Sequence, residues 1–540
     1  MKRYFLLAVV ILGTLLRLLS LSKLPAGLSP DEAAFGYNAY SLLKTGKDEW
    51  GQPLWALPFT NLRSFGDYRY PLYAFLTVPS VKFFGLNEFA VRLPNAVLGG
   101  LGIIAIFFLG YELFPKKKWT IGLTAAFLMA ISPWHISLSR GAFETNAVTT
   151  LFPLGLALLL RGKSVLAAII LAICSYSYLA ARILVLPVSL LTVSLTQLPR
   201  VRWLKFAVLL IVLALPGFWS LLGKGNTRMA DVGLFSPTDS WQEVSDRRFA
   251  ARNAGLPDSI ARVFSNKGIY VVSQTAKNYL SYFSPQFLFT SGAGEANYGI
   301  IPGRGLLYYF EIPLLLIFLY TVVRYPSRTG FLILALILIS PVPAALAKGV
   351  GFAANRAASM IPFLAIASAF SFTRLLEYLP MLRRSGKTIL AGVALVSLIF
   401  FLEDYFFHSW QIFARPFNYG LRETLTRVMP MADRYSDIRF SRALSEPHIY
   451  VAFYGKVDPA FYQQEAQKWV DFDQKFRFLD QFDGYYLGKY RFGDIHPREN
   501  PDHPILFVGR PEDFPADFPE YFHIDYLTGQ TAVVVAEKSP

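Results

Sequence analysis

The sequence has one cysteine in 540 residues and comparatively few charged side chains. Cys174 lies in an apolar run, and a single cysteine excludes an internal disulfide framework, a CxxC redox site and a cysteine-based zinc cluster. Charged residues make up 16% of the chain and hydrophobic residues 54%. A soluble globular domain has about 25% charged residues. The composition therefore indicates a membrane protein.

Several motifs of soluble enzymes are also absent. The chain has no HExxH pattern, Walker loop, GxSxG motif or Rossmann glycine pattern, and its six histidines show no recognisable zinc spacing. These absences argue against a chain that binds a nucleotide or a structural zinc ion through a known motif.

Apolar segments of about 17–25 residues can cross a bilayer as helices. Eleven such segments are predicted, at roughly 4–22, 93–114, 119–134, 142–160, 164–180, 183–198, 206–222, 305–323, 329–346, 356–373 and 388–404. The fold class expected is thus an α-helical polytopic membrane protein. The first segment could also be read as a cleaved signal peptide, but its apolar run is long and lacks a clear small-x-small site, which favours retention.

The net charge of +15 is distributed unevenly between the connections. Sixteen cationic residues fall on one predicted side: Lys2, Arg3, Lys116, Lys117, Lys118, Arg161, Lys163, Arg200, Arg202, Lys205, Arg324, Arg328, Arg374, Arg383, Arg384 and Lys387. This bias predicts a cytoplasmic N-terminus. The basic charge therefore reports topology and not nucleic-acid binding.

Two connections and the C-terminal tail are long, and all three are predicted to be extracytoplasmic. A membrane domain is expected over 1–404, with long outer loops at 22–92 and 223–304. Long connections in compact proteins are usually functional or structured. In the first loop, residues 32–43 and 71–84 are predicted to form short helices on the membrane interface. Residues 405–540 are predicted to form a small α/β domain, with strands near 505–508 and 531–535 and a helix near 421–431.

An acidic pair opens the first outer loop. Asp31 and Glu32 follow Ser29-Pro30, directly after the first predicted span. Ser29 or Asp31 could simply cap the following helix, and acids are favoured there by the helix dipole. Considered by itself, this pair is explained better by capping than by catalysis.

A second polar group near the end of the same loop shifts that balance. Asp67 and Arg69 bracket Tyr68, so a loop confined at both ends presents acids and a cation together. A carboxylate there could act as a general base on an acceptor hydroxyl. It could also help to hold a divalent cation.

Further polar residues lie near the predicted outer ends of spans, where charge is costly and tends to mark function. They include Arg17, His135, Arg140, Glu144, Asn146, Arg182, Lys348, Asn355 and Arg356. Snorkelling to headgroups explains Arg17 or Lys348 alone, and His135 is better explained as an interfacial residue than as a catalyst. Arg69, Arg140, Arg182 and Arg356 come from separate elements, and arginine suits bidentate binding of phosphate oxygens. If the four converge, they would bind a lipid phosphate.

At this point the chain resembles a known family through a series of motifs in order. They are the early acidic pair, DYRYPLYAFL, FFGLNEFAVRLPNAVLG, SPWHISLSRGAFETN, YLSYFSPQFLF and SPVPAALAKGVGFAANRAASMIP, with EPHIYVAFYGKVDPAFYQ in the tail. The set is similar to the integral-membrane glycosyltransferases of GT-C fold. The nearest group is family 39, the protein O-mannosyltransferase and aminoarabinose-transferase-like enzymes.

The resemblance implies an enzyme that moves a sugar from a polyprenyl-phosphate donor to an acceptor on the extracytoplasmic face of a prokaryotic plasma membrane. Asp31 occupies the position of the family's catalytic aspartate. Asp67 and Arg69 match the acidic and basic residues before the family's Pro-Pro, although Tyr70 replaces the first of those prolines and Asp67 lies one residue off the aminoarabinose-enzyme spacing. That offset puts a metal-binding role for Asp67 in doubt.

The expected site comprises twelve residues in three groups. Asp31, Glu32 and Asp67 are the candidate catalytic carboxylates; Arg69, Arg140, Arg182 and Arg356 the candidate phosphate ligands; and Tyr68, His135, Glu144, Asn146 and Asn355 the candidate substrate-binding residues. No cofactor is required by the sequence, and a divalent cation stays open. The rival interpretations are a transporter or lipid flippase, and a non-catalytic membrane scaffold. Transporters often show repeated halves with polar residues at the midplane, whereas the polar residues here cluster at predicted outer span ends.

Overall fold

The computed structural model describes residues 1–196, 199–220, 233–234, 240–349, 351–379, 381–469, 479, 483–499 and 502–539. The helices are α1 Lys2–Leu18, α2 Pro30–Thr45, α3 Leu57–Thr60, α4 Leu72–Phe84, α5 Glu88–Leu113, α6 Lys118–Ile131, α7 Pro133–Leu138, α8 Asn146–Leu160, α9 Ser164–Ser175, α10 Leu179–Thr196, α11 Arg200–Trp219, α12 Ser240–Asn253, α13 Asp258–Phe264, α14 Lys267–Ser281, α15 Glu311–Arg324, α16 Arg328–Ile339, α17 Val342–Ala345, α18 Ile361–Tyr378, α19 Leu382–Glu403, α20 Ser409–Ala414, α21 Leu421–Val428, α22 Pro447–Tyr454 and α23 Pro459–Lys468. The strands are β1 Leu62–Ser64, β2 Asp67–Arg69, β3 Asp437–Ser441, β4 Tyr485–Leu487, β5 Tyr490–Gly493, β6 Ile505–Gly509, β7 Phe522–Asp525 and β8 Thr531–Lys538.

Most of the apolar helices share one large hydrophobic core, whose buried residues run from Val9 to Phe417. Within the described residues, four helical stretches are long and apolar enough to cross a bilayer: Glu88–Leu113, Arg328–Ala345, Ala358–Tyr378 and Ser385–Ala414. Six shorter apolar helices of 10–17 residues accompany them. The predicted total of eleven spans therefore stays a prediction.

Proline sets several helix boundaries that differ from the predicted segments. The segment predicted at 119–134 ends at Ile131, directly before Ser132-Pro133, and α7 then starts at Pro133. The segment predicted at 329–346 is divided, because α16 ends at Ile339 just before Pro341. Proline lacks the amide hydrogen of an interior helical residue and disfavours helical conformation in the residue before it.

The tail contains a six-stranded mixed sheet in the order β4-β5-β3-β6-β8-β7. The central strand β3 is parallel to both of its neighbours, β5 and β6, and the other pairs are antiparallel. Strands at residues 505–509 and 531–538 confirm the two predicted from the sequence, and β6 is buried along its whole length. The predicted helix at 421–431 is α-helical only to Val428.

The first outer loop and the tail share a second hydrophobic core. It joins residues of α2 such as Phe35 and Tyr37 to residues of the tail such as Phe453 and Tyr462. The ring of Tyr37 lies 5.0 Å from that of Tyr462. The expectation that residues 32–43 form a helix on the membrane interface is wrong in its environment: α2 is a helix, but most of its residues are buried. Its weak amphipathicity is that of a helix covered on several sides.

A backbone contact and a side-chain bridge connect the two parts near Leu28. The Leu28 amide donates to the Phe417 carbonyl at 2.7 Å. Gly27 has φ +94, and a Cβ added there would lie 2.2 Å from that same carbonyl oxygen, so the approach requires glycine. The Tyr450 hydroxyl donates to the Leu28 carbonyl at 2.8 Å and accepts from Asn418 Nδ2 at 2.9 Å.

Tyr450→Phe is expected to destabilise the folded protein by about 1–2 kcal/mol, because it leaves the buried Leu28 carbonyl and the Asn418 amide without this partner. Thermal unfolding of the purified protein in detergent measures the effect. The matched control is Tyr486→Phe, whose side chain is 44% exposed and which should unfold like the wild type. Equal midpoints for both variants would show that the bridge contributes nothing.

Candidate functional site

Asp31 lies in the first turn of α2, where the sequence allows either capping or chemistry. The cap is Ser29: its hydroxyl accepts from the Glu32 amide at 3.2 Å, and the Glu32 carboxylate accepts from the Ser29 amide at 3.0 Å. Capping is therefore supplied by Ser29 and Glu32. Asp31 instead pairs with Arg69, with Oδ1 2.7 Å from Nη2, and its side chain is 27% exposed.

Glu32 faces the interior and pairs with Arg92. Its two carboxylate oxygens accept from Arg92 Nε at 2.7 Å and Nη2 at 2.8 Å, and both side chains are fully buried. The Ala142 amide donates to the same carboxylate at 3.1 Å. The prediction that Glu32 is catalytic stays untested, and these contacts favour a structural role. Arg92 was missed because it stands at the start of an apolar segment that predicts only a span.

Arg69 and Arg182 are connected through Tyr70, which follows Arg69 in the chain and lies under Arg182. Arg69 is the last residue of β2, and the Arg182 guanidinium lies over the Tyr70 ring at 4.4 Å. Arg182 Nη1 donates to Ser220 Oγ at 2.7 Å. Its Nη2 is buried and has no hydrogen-bond partner among the residues that the structure describes. An anion bound beside Tyr70 would satisfy this group.

Arg356 and Asn355 form a second polar group with Glu295. The Asn355 amide donates to Glu295 Oε2 at 3.0 Å, and the Thr145 hydroxyl donates to Asn355 Oδ1. Burial raises the pKa of Glu295 to about 7, against the opposing effects of the Asn355 amide and the Arg356 charge. Glu295 was not predicted; its loop position in a run of small residues gives no signal in the sequence.

Three predicted site residues instead belong to a buried hydrogen-bond network. Arg140 donates to the backbone carbonyls of residues 16, 17, 19 and 24, where the first span meets the first loop. His135 contacts Arg17 Nη2 at 2.6 Å and Thr149 Oγ1 at 3.0 Å. Asn146 Nδ2 donates to Asn95. A donor-binding role for Arg140 and substrate-binding roles for His135 and Asn146 stay predictions, and their geometry favours structural support.

The remaining predicted residues are placed as follows. Tyr68 lies in β2, half-buried and opposite Arg63. Glu144 is buried next to Thr145. Burial raises the pKa of the Tyr73 hydroxyl, and the charges of Glu32 and Glu144 raise it further, against the opposing effect of Arg92. The side chain of Asp67 lies outside the described atoms, so its role is open.

Two buried acids in the first loop were also missed. Burial raises the pKa of Glu49 well above its usual range, although Ser64 and Arg69 favour the charged form. Burial raises the pKa of Asp48 to about 6, although three backbone amides donate to it. The Asp48-Glu49-Trp50 sequence looks like an ordinary solvated turn. Its burial depends on coverage by the tail, where Gln463 and Gln467 bond to this turn.

Glu403, Asp404 and His408 form a group of metal-ligand type at the end of α19, the one such group found in the described part of the chain. The carboxylate of Asp404 is already paired with Arg304. The group does not include Asp31, and it gives no support to a cation at the candidate site.

The two adjacent acids are expected to respond differently to neutralisation. Glu32→Gln should destabilise the protein by about 3–5 kcal/mol, because the buried Arg92 charge loses its partner. Asp31→Asn should cost less, about 1–2 kcal/mol, because Arg69 is buried but water reaches Asp31, whose side chain is 27% exposed. Thermal unfolding of both variants in one detergent compares them. The structural assignment of Glu32 is wrong if its variant is as stable as the Asp31 variant.

Glu49→Gln is expected to stabilise the protein at pH 8 and to have little effect near pH 4. The folded-state pKa of Glu49 lies above the unfolded value of about 4.3, so wild-type stability is lost as pH rises toward the folded pKa. Asn38 Nδ2, 3.0 Å from Glu49 Oε2, keeps an oxygen acceptor in the variant. Unfolding midpoints measured against pH test this.

The control for this titration is Glu243→Gln, at an exposed position of α12. It should match the wild type at every pH. A Glu49 variant with the pH profile of the wild type would contradict the assignment of a buried, neutral carboxyl group.

Comparisons with known proteins identify the fold. No protein-family model matches the sequence, and no curated protein matches it either. Among solved structures, ArnT from Cupriavidus metallidurans in the apo state is similar over 99% of this chain and 98% of its own, with a TM-score of 0.54 and 13% identity. A structure of the same ArnT bound to undecaprenyl phosphate covers 98% of this chain and 97% of its own, with a TM-score of 0.48 and 14% identity.

The archaeal oligosaccharyltransferase AglB from Archaeoglobus fulgidus, in complex with an inhibitory peptide and a dolichol-phosphate, is similar over 84% of this chain. The TM-score is 0.48 and the identity 15%, and this chain spans 63% of that protein's length. The extent of the match to apo ArnT covers both the membrane helices and the tail. The chain therefore has the GT-C fold, that of a polytopic α-helical membrane protein with a small C-terminal β-sheet region.

Proposed function

We propose that the chain is a membrane glycosyltransferase that transfers a sugar from a polyprenyl-phosphate donor to an extracytoplasmic acceptor. The observation that carries the proposal is the Asp31–Arg69 ion pair, together with Arg182, whose guanidinium lies over the ring of Tyr70, the residue that follows Arg69. A partly exposed carboxylate and two arginines thus lie at the end of the apolar core, which is the combination that a phosphate-linked donor and a hydroxyl acceptor require.

The reaction follows from these groups. Asp31 accepts the proton of the acceptor hydroxyl as the acceptor oxygen forms a bond to the anomeric carbon. The bond between that carbon and the donor phosphate oxygen breaks, and polyprenyl phosphate leaves as an anion with the configuration at the anomeric carbon inverted. Arg69 orients the Asp31 carboxylate through their ion pair. Arg182 Nη2, which has no hydrogen-bond partner among the described residues, is available to a phosphate oxygen. Because the leaving group is a phosphate, no strong general acid is needed.

Arg356 extends the proposed phosphate site, and Asn355 and Glu144 contribute to the substrate pocket. Thr145 connects Glu144 to Asn355, because it follows Glu144 in the chain and its hydroxyl donates to Asn355 Oδ1. ArnT, whose apo structure shares this fold, has also been solved with undecaprenyl phosphate, and we assign the same class of donor to this chain. The acceptor is a protein, a glycolipid or a polysaccharide.

The membrane orientation is part of the proposal. We assign the chain to a prokaryotic plasma membrane, with the N-terminus in the cytoplasm and with Asp31 and the tail outside. The distribution of the cationic residues between the connections supports this orientation. The rival function is a transporter or lipid flippase. Against it stands the tail, which covers the first loop and closes over the Asp48-Glu49 turn, an arrangement suited to holding an acceptor at a fixed site.

A divalent cation would need carboxylates beyond those already engaged. Asp31 is paired with Arg69, and Glu32 is paired with Arg92. The residues described at the site therefore do not fit a cation cage, and no step of the reaction is assigned to a metal. Chelation tests this directly: loss of activity that added Mg²⁺ or Mn²⁺ restores would give Asp67 a cation-binding role.

Asp31→Asn is expected to lower the release of polyprenyl phosphate by roughly 100-fold or more, the effect of losing a general base. The measurement uses purified protein in detergent with a panel of polyprenyl-phosphate sugars and extracts from the cell envelope as acceptor. The matched control is Asp458→Asn, which removes a carboxylate from the start of α23 in the tail and should keep full activity.

Each outcome of this assay has a distinct meaning. Release by the wild type and by the Asp31 variant alike would keep the enzyme and move the base to another group, with Asp67 the next candidate. Binding of the lipid donor without release by any variant, together with movement of the lipid across reconstituted vesicles, would favour the flippase.

A further inference from the structure

A groove lies at the N-terminal end of α1, far from the candidate site. It is formed by α1, α6, α18 and α19 and has a volume of about 390 Å³. Helix α19 forms most of the candidate span Ser385–Ala414, and only 22% of an 18-residue apolar stretch of this span is buried. The helix therefore leaves this space open beside the rest of the bundle. Because the chain has a polytopic membrane fold, an apolar groove on the outside of the bundle faces lipid.

The groove has a polar end and an apolar end. Lys2 and Thr120 lie in the first turns of α1 and α6 and Lys387 in the second turn of α19, and Trp119 lines the same end of the groove. Phe127 lies eight residues further along α6, which corresponds to about 12 Å of helix. Phe372 of α18 lines the groove as well. Tryptophan and lysine are typical of the membrane–water interface, and the phenylalanines of the hydrocarbon region.

The charged residues at the polar end of the groove, as far as the structure describes them, are all cationic. Lys2 and Lys387 are both exposed, and the described residues that line the groove include no acid. A shallow depression next to it is lined by Lys2 and Arg3. The ligand that fits is therefore amphiphilic, with an anionic group at the lysines and a hydrocarbon chain along the phenylalanines. Basic pockets between helices on the cytoplasmic side of membranes bind anionic lipid headgroups.

We propose that this groove binds one anionic phospholipid of the cytoplasmic leaflet. Its phosphate contacts Lys2 and Lys387, and one acyl chain lies between α6 and α18. The bound lipid fills the gap that α19 leaves and holds this helix against α1. The proposal rests on the membrane fold and not on the proposed reaction.

The length of helix α1 separates the groove from the proposed donor site. Lys2 begins this helix and Leu18 ends it, so the two ends are roughly 25 Å apart. Asp31 follows the far end, beyond the short segment that Arg92 and Arg140 hold. A phospholipid in the groove therefore does not compete with a polyprenyl phosphate at Asp31.

Native mass spectrometry of the purified protein tests the proposal. The protein in detergent is mixed with equal amounts of phosphatidylglycerol and phosphatidylcholine, and the lipid adducts are counted. We expect at least a fivefold preference for phosphatidylglycerol in the wild type. The preference should fall to about one in the Lys2→Gln/Lys387→Gln double variant and persist in Lys2→Arg/Lys387→Arg, which keeps both charges.

The matched control is Lys163→Gln/Lys205→Gln, which removes two exposed lysines from the same predicted membrane side at positions that do not line the groove. It should keep the full preference. An equal loss in this control, or a preference that survives in the Lys2/Lys387 glutamine variant, would overturn the proposal. Displacement of phosphatidylglycerol by equimolar undecaprenyl phosphate would also overturn it, by assigning the groove to the donor lipid.

Discussion

The buried Glu32–Arg92 ion pair is the contact on which the order of the candidate site depends. Arg92 lies near the start of helix α5, and its guanidinium also donates to the carbonyls of Leu21, Pro25 and Gly27. One side chain therefore fixes the connection between α1 and α2, while Glu32 fixes the start of α2 itself. A buried ion pair of this kind adds little net stability, but removing one partner is costly, so it serves well to impose one arrangement. Because Arg92 holds Glu32, the backbone of the preceding residue Asp31 has a fixed position, and this orients the Asp31 side chain.

Arg140 supports the same connection from a different direction. Its guanidinium donates to carbonyls at the end of α1 and stacks on the rings of Tyr405 and Phe406. Two fully buried arginines thus satisfy backbone carbonyls that no helix or sheet can satisfy. Arginine suits this task because its five donors lie in a fixed plane. The residues that hold the loop are of the same type as those proposed to hold the donor phosphate, and sequence alone does not separate the two uses.

Three features were predictable because they depend on local signals. Apolar length predicts the membrane class, and β-prone runs predict the strands at 505–508 and 531–535. A short ordered motif predicts the position of Asp31 in the first loop. Arg92, Asp48 and Glu49 were not predictable. Arg92 stands at the edge of an apolar segment, and the two acids become buried only when the tail covers them. The backbone contacts of Arg140 were not predictable for a related reason: a charge at a span end predicts function, but whether it meets a ligand or a backbone carbonyl is decided by tertiary contacts.

The bond from Tyr450 to the Leu28 carbonyl joins residues 422 positions apart in the chain. Ribosomes add about 5–20 residues per second, so roughly 20–80 seconds separate the synthesis of these two partners. During that interval the first loop lacks the residues that complete its core. The loop around Asp31 can therefore reach its final arrangement only after the tail has been synthesised, and a chain that is truncated or stalled before the tail is left without an ordered candidate site.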